Sequence, residues 1–325
     1  MRVEAIQQQT SRQHLVSQVV LKEFTMPGRG SSGWRLLPFD LKYPERHHKL
    51  RPTSRCGWAK NFVAFESASA EQLWGRIEKR VPAALDAVHR GTPFADPAHA
   101  EVLRDLVVLH YVRSYHYQKV HDGALERVRA NVSVTLARKF PQQLAREAFR
   151  ETGLHLTGPG ALVAYAERYI ARSEMIRDHE SGKLFRSSIE DMFCKVQKMA
   201  STWQVEILTP GSGQFLIGDN PGVTIRRNAA ARLELEHGMA FGDAMSMVLP
   251  VGPRCLLALG PDNLTGTLAA AAVEAFNTVQ VLAAERYVYM HPHSGLERFA
   301  AQAAQKRPAR PGAGSLVRGV SAGHV

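Results

Sequence analysis

Cysteines and long hydrophobic runs are scarce in this 325-residue sequence. The three cysteines, Cys56, Cys194 and Cys255, lie far apart and form no CxxC pair. Such a sparse, odd set excludes a disulfide framework and a zinc ribbon, so we expect buried thiols in a reducing cytoplasm. No stretch approaches about 18 apolar residues and the N-terminus has no apolar signal region, which predicts a soluble, cytoplasmic protein with no membrane partner.

Sequence motifs of fixed spacing are also missing. There is no Walker loop, HExxH or GxSxG, and the scattered histidines show no metal-ligand spacing. Gly28, Gly30 and Gly33 satisfy GxGxxG, but a dinucleotide site needs a strand before this motif and a helix after it. Here the predicted order is reversed, so we interpret the stretch as a loop and predict no cofactor there. Internal repeats and coiled-coil heptads are absent, which leaves the oligomeric state open.

Positive charge is present in excess. Lys and Arg number 41 against 30 Asp and Glu, a formal net charge of +11. Clustered Lys and Arg bind polyanions by releasing counterions from phosphate backbones. The sequence therefore predicts nucleic acid or another polyanion as a partner, and the alternative is that the charge only maintains solubility.

Hydrophobic periodicity predicts a helical middle and a β-rich C-terminal part. Helices are expected at 14–24, 69–85, 97–121, 124–138, 141–151, 160–177 and 187–199, with residues 78–80 exposed. We expect a single α+β domain over 1–304, with its helical middle at about 69–199 and its β-rich part at about 202–292. A mixed or antiparallel sheet would form from the C-terminal third and the N-terminal strands, and 305–325 would be a disordered basic tail.

The predicted helix near residue 110 carries an unusual polar stripe. His110, Arg113, Tyr117 and His121 share one face at helical spacing. Arg104 and His110 also have a spacing that resembles the HEPN ribonucleases, in which an Arg neutralises phosphorane charge while a His moves protons. The alternative is that these residues are hydrogen bonded within the fold or solvated.

A turn of the sequence GDNPG interrupts the apolar run at 215–223. Asp219 and Asn220 can form an Asx-turn ahead of proline, in which case Asp219→Asn would cost about 1 kcal/mol or less. Alternatively, Asp219 emerges at the end of a strand as a base, a metal ligand or an orienting group.

An N-terminal motif is the first of four that resemble one bacterial family. The family pattern H-x-x-P-Q-x-x-L-x-x-F corresponds here to His14, Ser17, Gln18, Leu21 and Phe24. Ser17 departs from this pattern because it stands where the family has proline.

The other three motifs follow in the same order. They are Arg113-Ser114, the GDNP stretch at 218–221, and Asn277 followed by AERYVY. Together they resemble the family called domain of unknown function 4238 (DUF4238) over about residues 12–292. The resemblance implies no reaction, but it singles out His14, Arg113, Asp219, Asn220 and Asn277.

These residues lead to three hypotheses. In the first, the protein is a nuclease-like enzyme acting on phosphodiesters of RNA or DNA. His14 would be the general acid–base, Arg113 would stabilise the oxyanion, and Asp219 with Asn220 would orient His14 or hold a divalent metal ion, so His14, Arg113 and Asp219 would share one cleft. The second is a non-catalytic nucleic-acid-binding or regulatory protein, and the third a small-molecule-binding protein.

Overall fold

The structure is a computed structural model of the chain. It describes residues 12–28, 33–64, 68–227, 233–236, 242 and 244–307. The α+β class is confirmed: a run of helices occupies the middle of the chain, and strands occupy both ends.

Eleven helices lie within the described residues. They are α1 (Gln18–Glu23), α2 (Ala68–Glu78), α3 (Val81–His89), α4 (Pro97–Val112), α5 (Tyr115–Lys139), α6 (Pro141–Thr152), α7 (Pro159–Ala171), α8 (Glu174–Glu180), α9 (Lys183–Ala200), α10 (Ala270–Ala283) and α11 (Glu297–Ala304). Among the helices so described, none is long and apolar enough to cross a bilayer.

The strands form one large mixed sheet and three small ones. They are β1 (Arg12–His14), β2 (Met26–Pro27), β3 (Trp34–Arg35), β4 (Leu37–Asp40), β5 (Trp58–Lys60), β6 (Gln204–Pro210), β7 (Ile217–Gly218), β8 (Val223–Arg227), β9 (Leu233–Glu236), β10 (Ser246–Gly252), β11 (Cys255–Gly260), β12 (Leu264–Leu268) and β13 (Tyr287–Met290). The large sheet has the order β12-β6-β11-β10-β8-β9, and its β12–β6 pair is parallel. As expected, the C-terminal part of the chain supplies the main sheet, but the N-terminal strands enter the small sheets rather than this one.

The large sheet is covered by helices on both faces. On one face, α4 packs against β6, β10 and β11, and it also contacts α3 and α9. Along β10, Met247, Leu249 and Val251 join the α4 side, while Val248 joins the cluster that includes Val273 of α10. Because strand side chains alternate between faces, both faces of β10 are apolar and both are buried.

Two small sheets bring the N-terminal residues to the C-terminal third. Strands β4, β13 and β7 form an antiparallel sheet in which β13 is central. Strands β1 and β5 form a two-stranded ribbon that pairs His14 with Trp58. This ribbon determines where His14 lies.

Several of the predicted helices have different boundaries in the structure, and the 160–177 helix divides into α7 and α8. The 14–24 helix begins at Gln18, because His14 pairs in a strand. The 69–85 helix divides into α2 and α3, with a proline in the first turn of α3. The 97–121 helix ends at Val112, and α5 then continues through the predicted break near 122–123.

Two expectations about individual residues have different outcomes. Cys56 and Cys255 are buried as expected, but Cys194 is exposed on α9, so the prediction for Cys194 is wrong. Gly28 and Gly33 lie between the paired strands β2 and β3, and the amide of Gly28 donates to the carbonyl of Gly33. A strand rather than a helix follows Gly33, whereas a dinucleotide motif is followed by a helix, and Gly30 lies outside the described residues.

The described contacts of the chain continue past the predicted domain end at residue 304. Arg307 donates to the carbonyl oxygens of Ala284 at 2.5 Å and Glu285 at 3.1 Å. Of the predicted tail, residues 308–325 lie outside the described residues.

We predict that truncation after Arg307 leaves the melting temperature unchanged, because Pro-, Gly- and Arg-rich residues cannot bury enough apolar surface to offset their ordering entropy. Truncation after Gln305 should lower it by about 2–4 °C, because the bonds of Arg307 are lost. Thermal unfolding of the two truncated proteins and the full chain measures both effects. A large decrease after truncation at 307 would mean that the tail docks on the body.

Candidate functional site

Arg113 occupies the break between α4 and α5. Its backbone leaves the helical region, with φ −79° and ψ 63°, and Ser114 begins α5 by accepting a hydrogen bond from the amide of Tyr117 at 3.1 Å. An N-terminal cap of this kind starts a new helix. The break directs the Arg113 side chain into the protein, where it is 2% exposed.

The buried guanidinium is paired with Glu78. Arg113 Nη2 donates to Glu78 Oε1 at 2.8 Å and to Ser17 Oγ at 2.7 Å, and Ser17 Oγ donates to Glu78 Oε1 at 2.5 Å. The guanidinium also lies 5.0 Å from the ring centre of Trp74. Because a buried charge is costly unless it is paired and hydrogen bonded, these contacts hold α1, α2 and the end of α4 together.

His110 is a neutral, fully buried member of the same region. The backbone amide of Ser17 donates to His110 Nε2 at 3.1 Å, so Nδ1 carries the proton and donates to the Leu106 carbonyl at 2.8 Å. A proline at position 17, as in the family pattern, could not make the first bond. Burial, reinforced by the charge of Arg113, lowers the pKa of His110 to about 3.

The predicted pair of Arg104 and His110 is therefore not supported. Arg104 donates to the Trp203 carbonyl at 2.7 Å, while both ring nitrogens of His110 are engaged in the core. The broken helix also divides the polar stripe, since Arg113 precedes the break and Tyr117 and His121 follow it.

His14 lies half-buried beside Arg113 and Glu78. Burial, and then the positive charge of Arg113, lower the pKa of His14, while Glu78 acts in the opposite direction. A lowered pKa leaves the imidazole neutral at pH 7, which is the form that can accept a proton.

Three polar atoms of this region are shielded from solvent and have no hydrogen-bond partner among the described residues. They are Nε2 of His14, Nε of Arg113 and Oε1 of Glu71. Burial raises the pKa of Glu71, and the charge of Arg113 opposes that shift. We call His14, Ser17, Glu71, Glu78 and Arg113 the Arg113 cluster.

Asp219 holds the beginning of strand β13. Its Oδ1 accepts from the amide of Glu285 at 2.6 Å, and its Oδ2 accepts from the amides of Arg286 and Tyr287, each at 2.9 Å. Burial raises the pKa of Asp219 to about 6, while these three amide bonds act in the opposite direction. The carboxylate serves as an anchor for the backbone.

The residues around Asp219 are held to α10 by side-chain amides. Asn277 accepts from the amide of Leu216 at 3.0 Å and donates to the Gln214 carbonyl at 2.9 Å. Gln280 accepts from the amide of Gly218 at 2.9 Å and donates to the Pro221 carbonyl at 2.8 Å. These side chains satisfy backbone groups that β7, with two residues, cannot pair along its length.

Asn220 links this turn to the region of Arg113. Its Nδ2 donates to the Ala283 carbonyl at 3.1 Å, and its Oδ1 accepts a long hydrogen bond of 3.4 Å from the amide of His116. A Cβ at Gly222 would lie 2.6 Å from Tyr111 Cα, so only glycine allows this close approach to α4.

Asp219 is linked to the region of His14 through strand β13. Tyr289, two residues after the anchored Tyr287, accepts from the amide of Gly57 at 2.8 Å. The carbonyl of Gly57 in turn accepts from the amides of Leu15 and Val16. Described contacts include no hydrogen bond or ion pair from Asp219 to His14 or Arg113. The structure thus brings His14 and Arg113 together and leaves Asp219 and Asn220 in a neighbouring network.

A cleft of about 220 Å³ adjoins Trp58, the strand partner of His14. Its lining is basic and aromatic, with Arg51, Arg55, Arg286, Trp58 and Tyr287, together with Pro38, Cys56, Gly57 and Tyr289. Side chains directly opposite in an antiparallel pair have Cβ atoms about 5 Å apart on one face of the sheet. His14 is therefore close to a wall of this cleft, which we call the arginine cleft.

The roles of Glu71, Trp74 and Glu78 do not follow from helical periodicity, which assigns 78–80 to a solvated face and gives no sign of a buried charge on this helix. Glu78 is the counter-charge of Arg113, 35 residues away in the chain. An unpaired positive charge at the end of the apolar α4 was the available signal, since such a residue needs an acidic partner.

Comparison with known proteins gives one family. The family model described as "Protein of unknown function (DUF4238)" matches residues 12–294, most of the 325-residue chain. No curated protein and no solved structure matches the chain.

We predict that Asp219→Asn lowers the free energy of unfolding by about 2–4 kcal/mol, more than a simple Asx-turn would imply. The NH2 group of the asparagine would face at least one backbone N–H and could not accept its hydrogen bond. Hydrogen bonds to charged groups contribute about 1.5–3 kcal/mol each to stability. Urea unfolding measures the change, with exposed Asp262→Asn as the control. Wild-type stability of Asp219→Asn would contradict the anchoring role.

We predict that His110 makes the protein less stable as the pH falls from about 6.5 to about 3. The unfolded chain binds a proton on this histidine in that window and the folded chain does not, because the pKa of the folded form is about 3. Stability should fall by up to about 1.4 kcal/mol per pH unit from this group. His110→Gln keeps an acceptor for Ser17 and should flatten the dependence.

Urea unfolding of the wild type and His110→Gln at several pH values measures this difference. His47→Gln, at an exposed histidine, is the matched control and should keep the slope of the wild type. Equal slopes in all three proteins would show that His110 does not contribute.

Proposed function

We propose a function for this chain from the geometry of its site. The chain belongs to the DUF4238 family, which is described as of unknown function. The proposed function is an enzyme that cleaves phosphodiester bonds, with RNA or DNA as substrate and His14 as the general acid–base. One observation carries the proposal: His14 belongs to the Arg113 cluster and is also the strand partner of Trp58, which lines the arginine cleft.

The arginine cleft supports a phosphate-containing substrate. The side chains of Arg51 and Arg55 are exposed there, and neither makes an ion pair among the described residues. Arg286 is held by Asp40, with an Nη2–Oδ2 distance of 2.8 Å. Guanidinium groups bind phosphate oxygens through paired hydrogen bonds, and the faces of Trp58 and Tyr287 suit a nucleobase. The formal charge of +11 agrees with such a substrate.

In this proposal, His14 transfers the proton. The neutral imidazole takes a proton from the attacking hydroxyl or water and later returns one to the leaving oxygen. Its lowered pKa, caused by burial and then by Arg113, keeps the base form present at neutral pH. Arg51 and Arg55 would bind the phosphate oxygens of the substrate equally in the ground state and in the transition state.

Arg113, Asp219 and Asn220 act in this proposal as positioning residues. Arg113 is enclosed by Trp74, Ser17 and Glu78, so its charge acts on His14 rather than on a bound phosphate. Asp219 supports the backbone that follows His14, through Tyr289 and Gly57. Asn220 supports the start of α5 beside Arg113. The sequence suggests that Arg113 stabilises the oxyanion directly. In this proposal it does not, because Arg113 is only 2% exposed and cannot reach a bound phosphate.

The cytoplasm is the proposed location, since the three cysteines are free. A divalent metal requirement is tested directly by including Mg²⁺, Mn²⁺ or EDTA in the assay.

We predict that His14→Gln lowers kcat by about 10²–10⁴-fold on labelled RNA or DNA, because proton transfer is lost. Arg55→Ala should raise KM with little change in kcat, because a phosphate contact outside the proton-transfer step is removed. The assay uses single- and double-stranded RNA and DNA.

The matched control is His155→Gln, at an exposed histidine remote in sequence from the motifs, and it should keep wild-type activity. Equal activity of His14→Gln and the wild type would refute the role of His14. Binding of the oligonucleotides without turnover, weakened by Arg55→Ala, would favour the non-catalytic nucleic-acid-binding hypothesis. Neither binding nor turnover by the wild type would refute a nucleic-acid substrate.

A further inference from the structure

Three side chains of metal-ligating type meet where α5 and α8 approach each other. His121 and Asp122 come from α5, and His179 comes from α8. One ligand atom from each lies within 4.8 Å of the other two, and among the described residues this group alone has such spacing for His, Cys, Asp and Glu. His179 follows His121 by 58 residues in the chain, so sequence spacing could not indicate the group.

The two imidazoles and the carboxylate are oriented toward one another. The ring centres of His121 and His179 are 6.2 Å apart, and His121 Nδ1 lies 3.3 Å from Asp122 Oδ1. Nδ1 of His179 is shielded from solvent and has no hydrogen-bond partner among the described residues. A shielded ring nitrogen without a partner is costly in the absence of a ligand, because its lost hydration is not replaced.

The surroundings are apolar on one side and open on the other. The ring of Phe185 packs on His121 with centres 5.3 Å apart, and the His121 side chain is 11% exposed. The Asp122 side chain is 47% exposed. An ion held here would be shielded by Phe185 and could keep water on the side of Asp122.

We propose that His121, Asp122 and His179 bind one divalent transition-metal ion of the zinc class. Imidazole nitrogens select such ions over Mg²⁺ and Ca²⁺, which prefer all-oxygen sites, and two histidines with one carboxylate are an established zinc ligand set. Ligands of a tetrahedral zinc ion lie about 3.3 Å apart, so a modest closure is needed. The exposed Asp122 side chain is free to rotate and provide it.

The ion would connect α8 directly to α5. Helix α8 has seven residues and packs on its sequence neighbours α7 and α9. The site uses no residue of the Arg113 cluster or the arginine cleft, so it stands or falls independently of the proposed phosphodiester cleavage.

The test is a Co²⁺ titration of the metal-free full-length protein, followed by competition with Zn²⁺. Visible absorption bands of Co²⁺ report the ligand set and the stoichiometry. We expect one ion per chain in the wild type, with displacement by Zn²⁺. His179→Ala and Asp122→Asn should each weaken binding at least tenfold, because each removes one of three protein ligands.

His293→Ala is the matched control, because His293 and His291 form a second pair of neighbouring histidines with ring centres 5.6 Å apart. This variant should bind one ion as tightly as the wild type. Asp122→Asn changes an exposed side chain, so it remains informative if His179→Ala unfolds, and circular dichroism checks both. Absence of Co²⁺ binding by the wild type, unchanged binding by both site variants, or loss of binding in His293→Ala would each overturn the proposal.

Discussion

The burial of one guanidinium determines how the first third of this protein is arranged. Arg113 is buried at the end of α4, and the free-energy cost of burying its charge is offset only if a carboxylate is buried with it. Glu78 supplies that carboxylate from the end of α2, and Ser17 at the start of α1 bonds to both. The pair therefore fixes the position of three helices, and His14 is beside it because β1 leads directly into α1.

The GDNP turn imposes a second constraint of a different kind. The backbone at 214–221 is bound by side chains of α10 as well as by its pairing with β13, and Asp219 in return binds three amides at the start of β13. Each side chain is matched to a backbone group that would otherwise be buried without a partner. The turn thus joins α10, β13 and the α4–α5 junction, and it supports both sides of the candidate site without contributing an atom to it.

Hydrophobic periodicity predicts the general order of helices and strands. The features that it does not predict depend on contacts between residues far apart in the sequence. The helical middle and the β-rich character of the C-terminal third follow from hydrophobic periodicity, whereas the ends of several helices do not. His14 was assigned to a helix because Leu15 and Val19 have helical spacing, yet its pairing with Trp58 places it in a strand. Glu78 was assigned to solvent for a similar reason, since its helix face looks polar until Arg113 is brought against it. The family resemblance indicated the residues that matter, but it could not separate a network that anchors backbone from one that carries chemistry.

The break at Arg113 and Ser114 separates the polar stripe of the sequence into two places. In an uninterrupted helix, Arg113, Tyr117 and His121 would lie along one face. The break sends Arg113 toward α1 and α2, and α5 carries the following residues to α8 and α9, where Tyr117 bonds to Ser188 and His121 faces His179. The break therefore divides one polar stripe between two places. Arg113 supplies the buried charge beside His14, and His121 joins Asp122 and His179 in a separate group.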